Sequence, residues 1–307
     1  LTDWRYYNLT FNSGDRTEVR VYITSSGASN SFYVDDISLS KSGGENLLKN
    51  SGFEEEEEQR VIDSDPFELA KYMQTLKDAE DKNMKVSLLL NLHYFVNELY
   101  SNYDDLKYNG ASDYKGIGYH VTHPVAKEAV KYHIKTLLSE AKKYKSLNDI
   151  CMLNEPWVVA NDSYYKPLWA EHLRLEYGTI DELNNCYSAN YSDFGEVPFP
   201  SSMRNETPQA YDYKNFNDNI MTEWIAFISE CVREIAPEIP VHVKAMSYVG
   251  YADEVSGTRW RICTGLNQEK IIDYIDINGN DAELRFVLED GEDYSSFMER
   301  KALHKSM

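Results

Sequence analysis

Cysteines are few in this sequence, and none are paired by their spacing. The 307 residues include Cys151, Cys186, Cys231 and Cys263, and no two of them form a CxxC motif. Structural zinc sites and disulfide frameworks need cysteines that cluster or repeat at short spacings. We therefore predict neither, and we expect four isolated thiols.

Basic charge and long apolar runs are also scarce. Lys and Arg number 31 against 51 Asp and Glu, which gives a net charge of −20. A negative field of this size disfavours nucleic acid and anionic membrane surfaces as partners. The sequence has no run of 18 apolar residues, so it predicts no membrane-spanning helix.

Aromatic residues are abundant by comparison. They make up 13% of the chain and include 24 Tyr and 5 Trp. Sugar-binding sites stack pyranose rings on aromatic side chains, so this composition fits a carbohydrate-binding protein. Tyrosines that fill an ordinary interior are the alternative interpretation.

The first 42 residues predict antiparallel β-structure, because apolar and polar residues alternate there and Gly- and Ser-rich turns intervene. The alternating segments are Arg5–Phe11, Thr17–Thr24 and Phe32–Leu39. We predict part of a β-sandwich over residues 1–42. The five-glutamate run Glu54–Glu58 indicates a solvated linker, which we place over residues 43–64.

From residue 65 onward, helix and strand patterns alternate. The predicted elements are a helix from Pro66, a strand over Lys85–Leu92, a helix from Pro124, a strand over Ile150–Leu153, a helix from about Asn217, a strand over Val241–Met246, a helix over Glu269–Tyr274 and a strand over Ile275–Asn278. Such alternation is typical of parallel βα units. We predict an α/β domain over residues 65–307.

The sharpest candidate site is Asn154-Glu155-Pro156, directly after an apolar strand. In a (β/α)8 barrel the functional residues lie at the carboxyl ends of the strands. A Glu in that place can donate a proton to a glycosidic oxygen if its surroundings keep it protonated. Asn154 is placed to bond a sugar hydroxyl, and Trp157 offers an apolar stacking face. A surface Glu in a β–α turn is the alternative.

His93 ends the preceding predicted strand. It is placed to hydrogen-bond a sugar hydroxyl or a catalytic carboxylate, and a structural histidine is the alternative. Together with His120 and His123 it could bind zinc, but no acidic or cysteine ligand pattern completes such a site. We predict no metal and no cofactor.

Three segments carry a resemblance to a known family. Ile150–Pro156 looks like the fourth-strand motif of the retaining glycosidases of clan A. Trp169–Asn184 resembles the helix and YGT-x-x-x-LN turn that follow the acid/base Glu in glycoside hydrolase family 42 β-galactosidases, and Tyr191–Pro198 continues the similarity. The resemblance runs from about Met84 to Asp281. Family 42 members often carry a Cys cluster that this chain lacks, so a related clan A family is the alternative.

The β-segment resembles carbohydrate-binding modules. Phe32–Leu39 is similar to the closing strand of such jelly rolls, and Asn46–Glu54 is similar to the opening of another one. The resemblance implies a jelly-roll-like segment ahead of the α/β domain. For Asp35 and Asp36 we expect a structural role rather than contact with a sugar.

The family resemblance implies a partial (β/α)8 TIM-type barrel and a retaining mechanism. Glu155 would be the general acid/base in the cleavage of β-linked, possibly galactose-containing glycans. An oligo- or polysaccharide is thus the expected partner. The residues implied to line the sugar site are Asn154, His93, Trp157, Asn278, Asn280 and Asp281.

The spacing of the elements also predicts that the barrel is incomplete. Eleven residues separate Phe53 from Asp65, whereas a strand, a helix and a second strand need about 30. With the strand before Glu155 counted as the fourth, the last predicted strand is the sixth, and clan A places its nucleophile after the seventh. We therefore expect the nucleophile to lie outside this chain, since Glu254 and Glu283 follow no apolar strand.

Two other functions stay open at this point. A non-catalytic sugar-binding protein would keep the cleft without a second carboxylate, and a cell-surface scaffold would use the β-segment for attachment. The expected location is extracellular or at the cell surface.

Overall fold

The structure is a computed structural model. It describes residues 6–12, 37–40, 66–95, 97–108, 116–201, 206–246 and 265–281. The chain divides into two compact units, residues 1–60 and 61–307. In the first unit, residues 6–12 and 37–40 have no regular secondary structure, so the strand predicted at Arg5–Phe11 is not formed over residues 6–11. The rest of the predicted β-segment and the predicted linker lie outside the described residues.

The second unit alternates helices and strands, as the sequence predicts. The described helices are α1 Pro66–Asp81, α2 Asn97–Asn102, α3 Pro124–Ala141, α4 Lys166–Tyr177, α5 Ile180–Tyr187, α6 Pro208–Arg233 and α7 Gln268–Ile271, with 3-10 turns at Phe194–Glu196 and Ile272–Tyr274. The strands are β1 Val86–Leu89, β2 Leu147–Asn154, β3 Val241–Met246 and β4 Ile277–Asp281. They form one parallel sheet in the order β1-β2-β3-β4.

The core lies between this sheet and its helices. Leu88, Ile150 and Val241 occupy one register row across β1, β2 and β3, and all three are buried. Helix α3 packs against α1 and α6, and α6 packs on β2. The buried face of α3 recurs at helical spacing: Ala126, Ala129, Val130, Ile134, Leu137, Leu138 and Ala141.

Local signals set the starts of several helices, and α3 begins where the sequence predicts it. Helix α3 begins at Pro124, and the Nδ1 atom of its N-cap His123 accepts a hydrogen bond from the Val125 amide at 3.1 Å. Helix α5 begins after Thr179, which forms a capping box with Glu182. No described helix is long and apolar enough to cross a membrane.

The prediction for α6 was wrong at its start, because the helix begins at Pro208 and not near Asn217. Thr207 caps it, with its hydroxyl accepting from the Ala210 amide at 3.2 Å. The early turns bury polar side chains, among them Asp212 and Asn217. Those polar residues interrupt the apolar period from which a helix is recognised in sequence.

The last strand was also misplaced, because β4 runs over Ile277–Asp281 and not over Ile275–Asn278. The segment Asn278-Gly279-Asn280 therefore lies inside the strand, although asparagine and glycine in this order are typical of turns. A Cβ atom at Gly279 would stand 2.5 Å from the carbonyl oxygen of Val243. Glycine here permits close approach of two strands and does not mark a turn.

Candidate active site

Glu155 directly follows β2, which ends at Asn154. Its backbone is in the left-handed region with φ 47°, which costs a non-glycine residue roughly 1–3 kcal/mol. Its amide donates a hydrogen bond of 2.7 Å to the carbonyl oxygen of Lys244 on the neighbouring β3. The residue is half-buried. The chain thus turns sharply at Glu155 while the sheet still holds its amide.

Asn154 and Lys244 are register partners across β2 and β3. Register partners in adjacent parallel strands present their side chains on the same face of the sheet. An amide and an ammonium group therefore share one face of the sheet just before Glu155. Sequence reasoning missed Lys244, because it lies inside a strand and only the register shows that Asn154 is its neighbour.

His93 lies in the loop after β1 and is buried. Its ring N–H donates a hydrogen bond to the main chain of Asn154. Burial lowers the pKa of His93 below its ordinary value, and the hydrogen bond to Asn154 opposes that shift in part. The structure therefore brings His93 and Asn154 together, as both were predicted to belong to the site. The lowered pKa of His93 favours its neutral form.

A segment around Gly118 ties the loops after β1 and β2 to each other. The Gly118 amide donates to the carbonyl oxygen of His93 at 2.9 Å, and the Ile117 amide donates to that of Trp157 at 3.0 Å. The buried Tyr119 hydroxyl donates to the carbonyl oxygen of Leu92 at 2.6 Å. Trp157 is itself partly buried. Both loops that carry predicted site residues are thus fixed by one segment.

Three predicted site residues, Asn278, Asn280 and Asp281, belong to β4, two strands away from Glu155. Asn278 pairs with Val243, one residue before Lys244, so alternation puts its exposed side chain on the opposite face of the sheet from Asn154. Asn280 pairs with Ala245, and Asp281 ends the strand opposite Met246. The side chains of Asn280 and Asp281 lie outside the described part of the chain.

His120 and His123 lie at the start of α3 and contact carboxylates. The Nε2 atom of His120 is 2.7 Å from Asp162 Oδ2, and its Nδ1 atom is 2.5 Å from the carbonyl oxygen of Asp105. Nε2 of His123 is 3.2 Å from Asp105 Oδ1. Over the described residues, no group of three or more His, Cys, Asp or Glu side chains is arranged to hold a metal ion.

The sequence profile of one family matches the larger part of this chain. It is the profile of glycoside hydrolase family 42, described as β-galactosidase, and it covers residues 101–298. The chain belongs to glycoside hydrolase family 42. The predicted resemblance to that family is confirmed, and the carbohydrate-binding module ahead of it stays a prediction. No curated protein matches the sequence.

Solved β-galactosidase and carrageenase structures share the fold. A catalytic mutant of a β-galactosidase from G. stearothermophilus is 18% identical with a TM-score of 0.61, covering 76% of this chain and 35% of that one. An apo exo-carrageenase from Bacteroides ovatus is 22% identical with a TM-score of 0.54, covering 67% and 30%. A β-galactosidase from Halorubrum lacusprofundi is 15% identical with a TM-score of 0.55, covering 77% and 35%.

These likenesses show a TIM-barrel-like α/β fold for the family 42 chain. At the first matches, the chain spans about a third of the length of the solved proteins. The four described strands and their helices are accordingly the part of that fold that carries Glu155. In a barrel of this kind the carboxyl ends of the strands form the functional face, and Glu155 lies there.

Proposed function

We propose that the protein is a retaining glycosidase that cleaves β-linked, possibly galactose-containing glycans, with Glu155 as its general acid/base. One observation carries the proposal. Within the segment that matches family 42, a half-buried Glu directly follows a barrel strand and is held in the left-handed region at φ 47°. A strained non-glycine backbone that the surroundings enforce is typical of functional positions.

The retaining mechanism has two steps, and Glu155 acts in both. In the first, its carboxyl group gives a proton to the glycosidic oxygen while the bond from that oxygen to the anomeric carbon breaks. A second carboxylate forms a covalent bond to the anomeric carbon. In the second step, Glu155 takes a proton from water, and the resulting hydroxide displaces the second carboxylate.

The surroundings of Glu155 suit a neutral polyhydroxylated substrate. Asn154 shares a sheet face with Lys244, and these two groups can donate hydrogen bonds to sugar oxygens. Trp157 supplies an aromatic side chain two residues beyond Glu155. His93 is proposed to position Asn154, because its ring forms a hydrogen bond to the main chain of that residue. The substrate class, and a location outside the cell or at its surface, are parts of the proposal.

The second carboxylate is proposed to lie outside the four described strands. The fold of clan A, which this chain resembles, places it after the seventh strand, whereas β4 corresponds to the sixth. Asp281 is the other acidic residue at a carboxyl end of the described strands. A retaining mechanism would need it within about 5 Å of Glu155, and at the end of β4 it is separated from β2 by the whole of β3.

The test is Glu155→Gln in the full-length gene product. Loss of the acid should lower kcat/KM about 10²–10⁴-fold for an alkyl β-galactoside, whose leaving group needs a proton. An activated aryl β-galactoside needs little proton donation, so its kcat/KM should fall much less. Glu171→Gln, at an exposed position of α4, is the matched control. Small and equal losses on both substrates would exclude the acid role.

A further inference from the structure

The loop that leaves Glu155 is held by two side chains of α6. Ala160 is fully buried, and its amide donates a hydrogen bond of 2.7 Å to Oδ1 of Asn217. The carbonyl oxygen of the same residue accepts from the Tyr213 hydroxyl at 3.0 Å. Both main-chain polar groups of Ala160 are thus bonded to side chains of one helix, so the position of the loop depends on α6.

The two anchoring side chains are themselves fixed. Asn217 is fully buried, and its Nδ2 donates at 2.7 Å to the carbonyl oxygen of Tyr213, one turn earlier. The Tyr213 ring packs edge-on against Trp169, with the ring centroids 5.7 Å apart. A buried amide side chain that bonds both the loop and its own helix has little freedom to rearrange.

Gly265 closes the junction from the other side. A Cβ atom at this position would be 3.1 Å from the carbonyl oxygen of Asn217 and 3.1 Å from that of Val158. Its φ of +70° also favours glycine. The backbone of α6, the loop after Glu155 and the segment before α7 therefore meet without any side chain between them.

We propose that Tyr213 and Asn217 are positioning residues that set the place of Glu155 and Trp157 through Ala160. The inference rests on the proposed function, because it assigns a catalytic consequence to the anchoring. Displacing a catalytic group by about 1 Å can cost about 100-fold in rate, so a loop five residues beyond Glu155 needs firm attachment. Neither α6 residue touches the reacting atoms, and each acts through the main chain of Ala160.

The test uses Tyr213→Phe and Asn217→Leu in the full-length gene product. Tyr213→Phe keeps the ring and removes only the hydroxyl that bonds Ala160. Ser229→Ala is the matched control, because Ser229 is buried on the same helix and its hydroxyl donates to the carbonyl oxygen of Tyr274, away from the loop. Hydrogen exchange of the amides of residues 157–161 and kcat/KM for alkyl and aryl β-galactosides are measured for each variant.

We expect the loop amides to exchange at least about tenfold faster in both α6 variants and to be unchanged in Ser229→Ala. The kcat/KM for the alkyl galactoside should fall roughly tenfold more than that for the aryl galactoside, since misplacement of the acid is felt only where a proton is needed. Unchanged exchange would overturn the anchoring. Faster exchange with equal losses on both substrates would overturn the positioning role. If the wild-type protein hydrolyses neither substrate, the proposed function fails, and exchange alone decides the anchoring.

Discussion

At the scale of single residues, the backbone of Glu155 is the most informative feature. Four non-glycine residues of the described chain have positive φ, namely Asn83, Asn91, Glu155 and Ser188. Asparagine tolerates this conformation because its short side chain bonds the local backbone, whereas glutamate gains no such compensation. The chain keeps a poorly suited residue directly after β2, and this strain is the observation on which the proposed role of its carboxyl group rests.

Glu155→Asn should therefore stabilise the protein while it removes activity. Relief of the left-handed strain is expected to contribute about 1 kcal/mol, which corresponds to a rise in melting temperature of about 2–4 °C. Ser188→Asn, at φ 54° at the end of α5, is the control, and it should gain stability without loss of turnover. Calorimetry and a galactoside assay check both variants. A Glu155→Asn variant that melts at a lower temperature than wild type would refute the claim that the backbone of Glu155 is strained.

The burial of His93 leads to a second prediction, which concerns the dependence of stability on pH. Burial lowers its pKa in the folded protein, while the unfolded chain titrates near its ordinary value of about 6.5. Below that pH the unfolded state binds the proton and the folded state does not, so stability falls as the pH drops from about 6.5 toward the lower, folded pKa. Above about 6.5 the group has no effect on stability.

His93→Gln should remove part of that pH dependence. The variant is expected to lose less stability than wild type between pH 7 and pH 5. The remaining slope would come partly from His172 and His242, whose pKa values burial also lowers. Urea unfolding across this range measures the difference. Parallel curves for the two proteins would mean that His93 is protonated in the folded state as easily as in the unfolded one.

At the scale of elements, the turn between α4 and α5 is held by the Thr179 capping box. The Thr179 hydroxyl accepts from the Glu182 amide at 3.3 Å, and the Glu182 carboxylate accepts from the Thr179 amide at 3.3 Å. Thr179→Ala should cost about 0.5–2 kcal/mol of unfolding free energy. Thr75→Ala, at an exposed position inside α1, is the control and should cost nothing. Equal effects of the two substitutions would refute the cap.

The strands and loops differ in how far their sequences predict them. Strand β3 was predicted at Val241–Met246, where it is observed, because apolar and polar residues alternate there directly after a proline, which is typical of a strand. The left-handed turn at Glu155 left no such signal, since no glycine or asparagine stands there. The anchors Tyr213 and Asn217 were also missed, because nothing local connects α6 with Ala160.

At the scale of the whole molecule, the parallel α/β order could be predicted from the alternation of helix and strand patterns in the sequence. The faces on which the β4 side chains lie could not be predicted from it. Asn278 was predicted to line the sugar site because it ends the predicted strand Ile275–Asn278. The register instead places it on the face opposite Asn154. A shift of one residue moves a side chain to the other face of a sheet, so a site residue inside a strand cannot be assigned before the register is known.

Asp281, at the end of β4, is the residue that tests where the nucleophile lies in the whole molecule. If the nucleophile lies outside the four described strands, Asp281→Asn in the full-length gene product should lower kcat less than about tenfold. Removal of a nucleophile costs on the order of 10⁶-fold in a serine hydrolase. The assay uses an aryl β-galactoside, with Asp273→Asn, in the exposed 3-10 turn before β4, as the control. A loss near the larger figure would place the nucleophile on β4.

Chemical rescue tests the acid/base role of Glu155 most directly. With an activated aryl β-galactoside, a Glu155→Ala variant of the full-length gene product can still form the covalent intermediate, but it lacks the base that activates water. Azide needs no base. Added azide should therefore restore turnover and yield a galactosyl azide of β configuration. Turnover unchanged by azide, or a product of α configuration, would contradict the assignment, the latter by identifying Glu155 as the nucleophile.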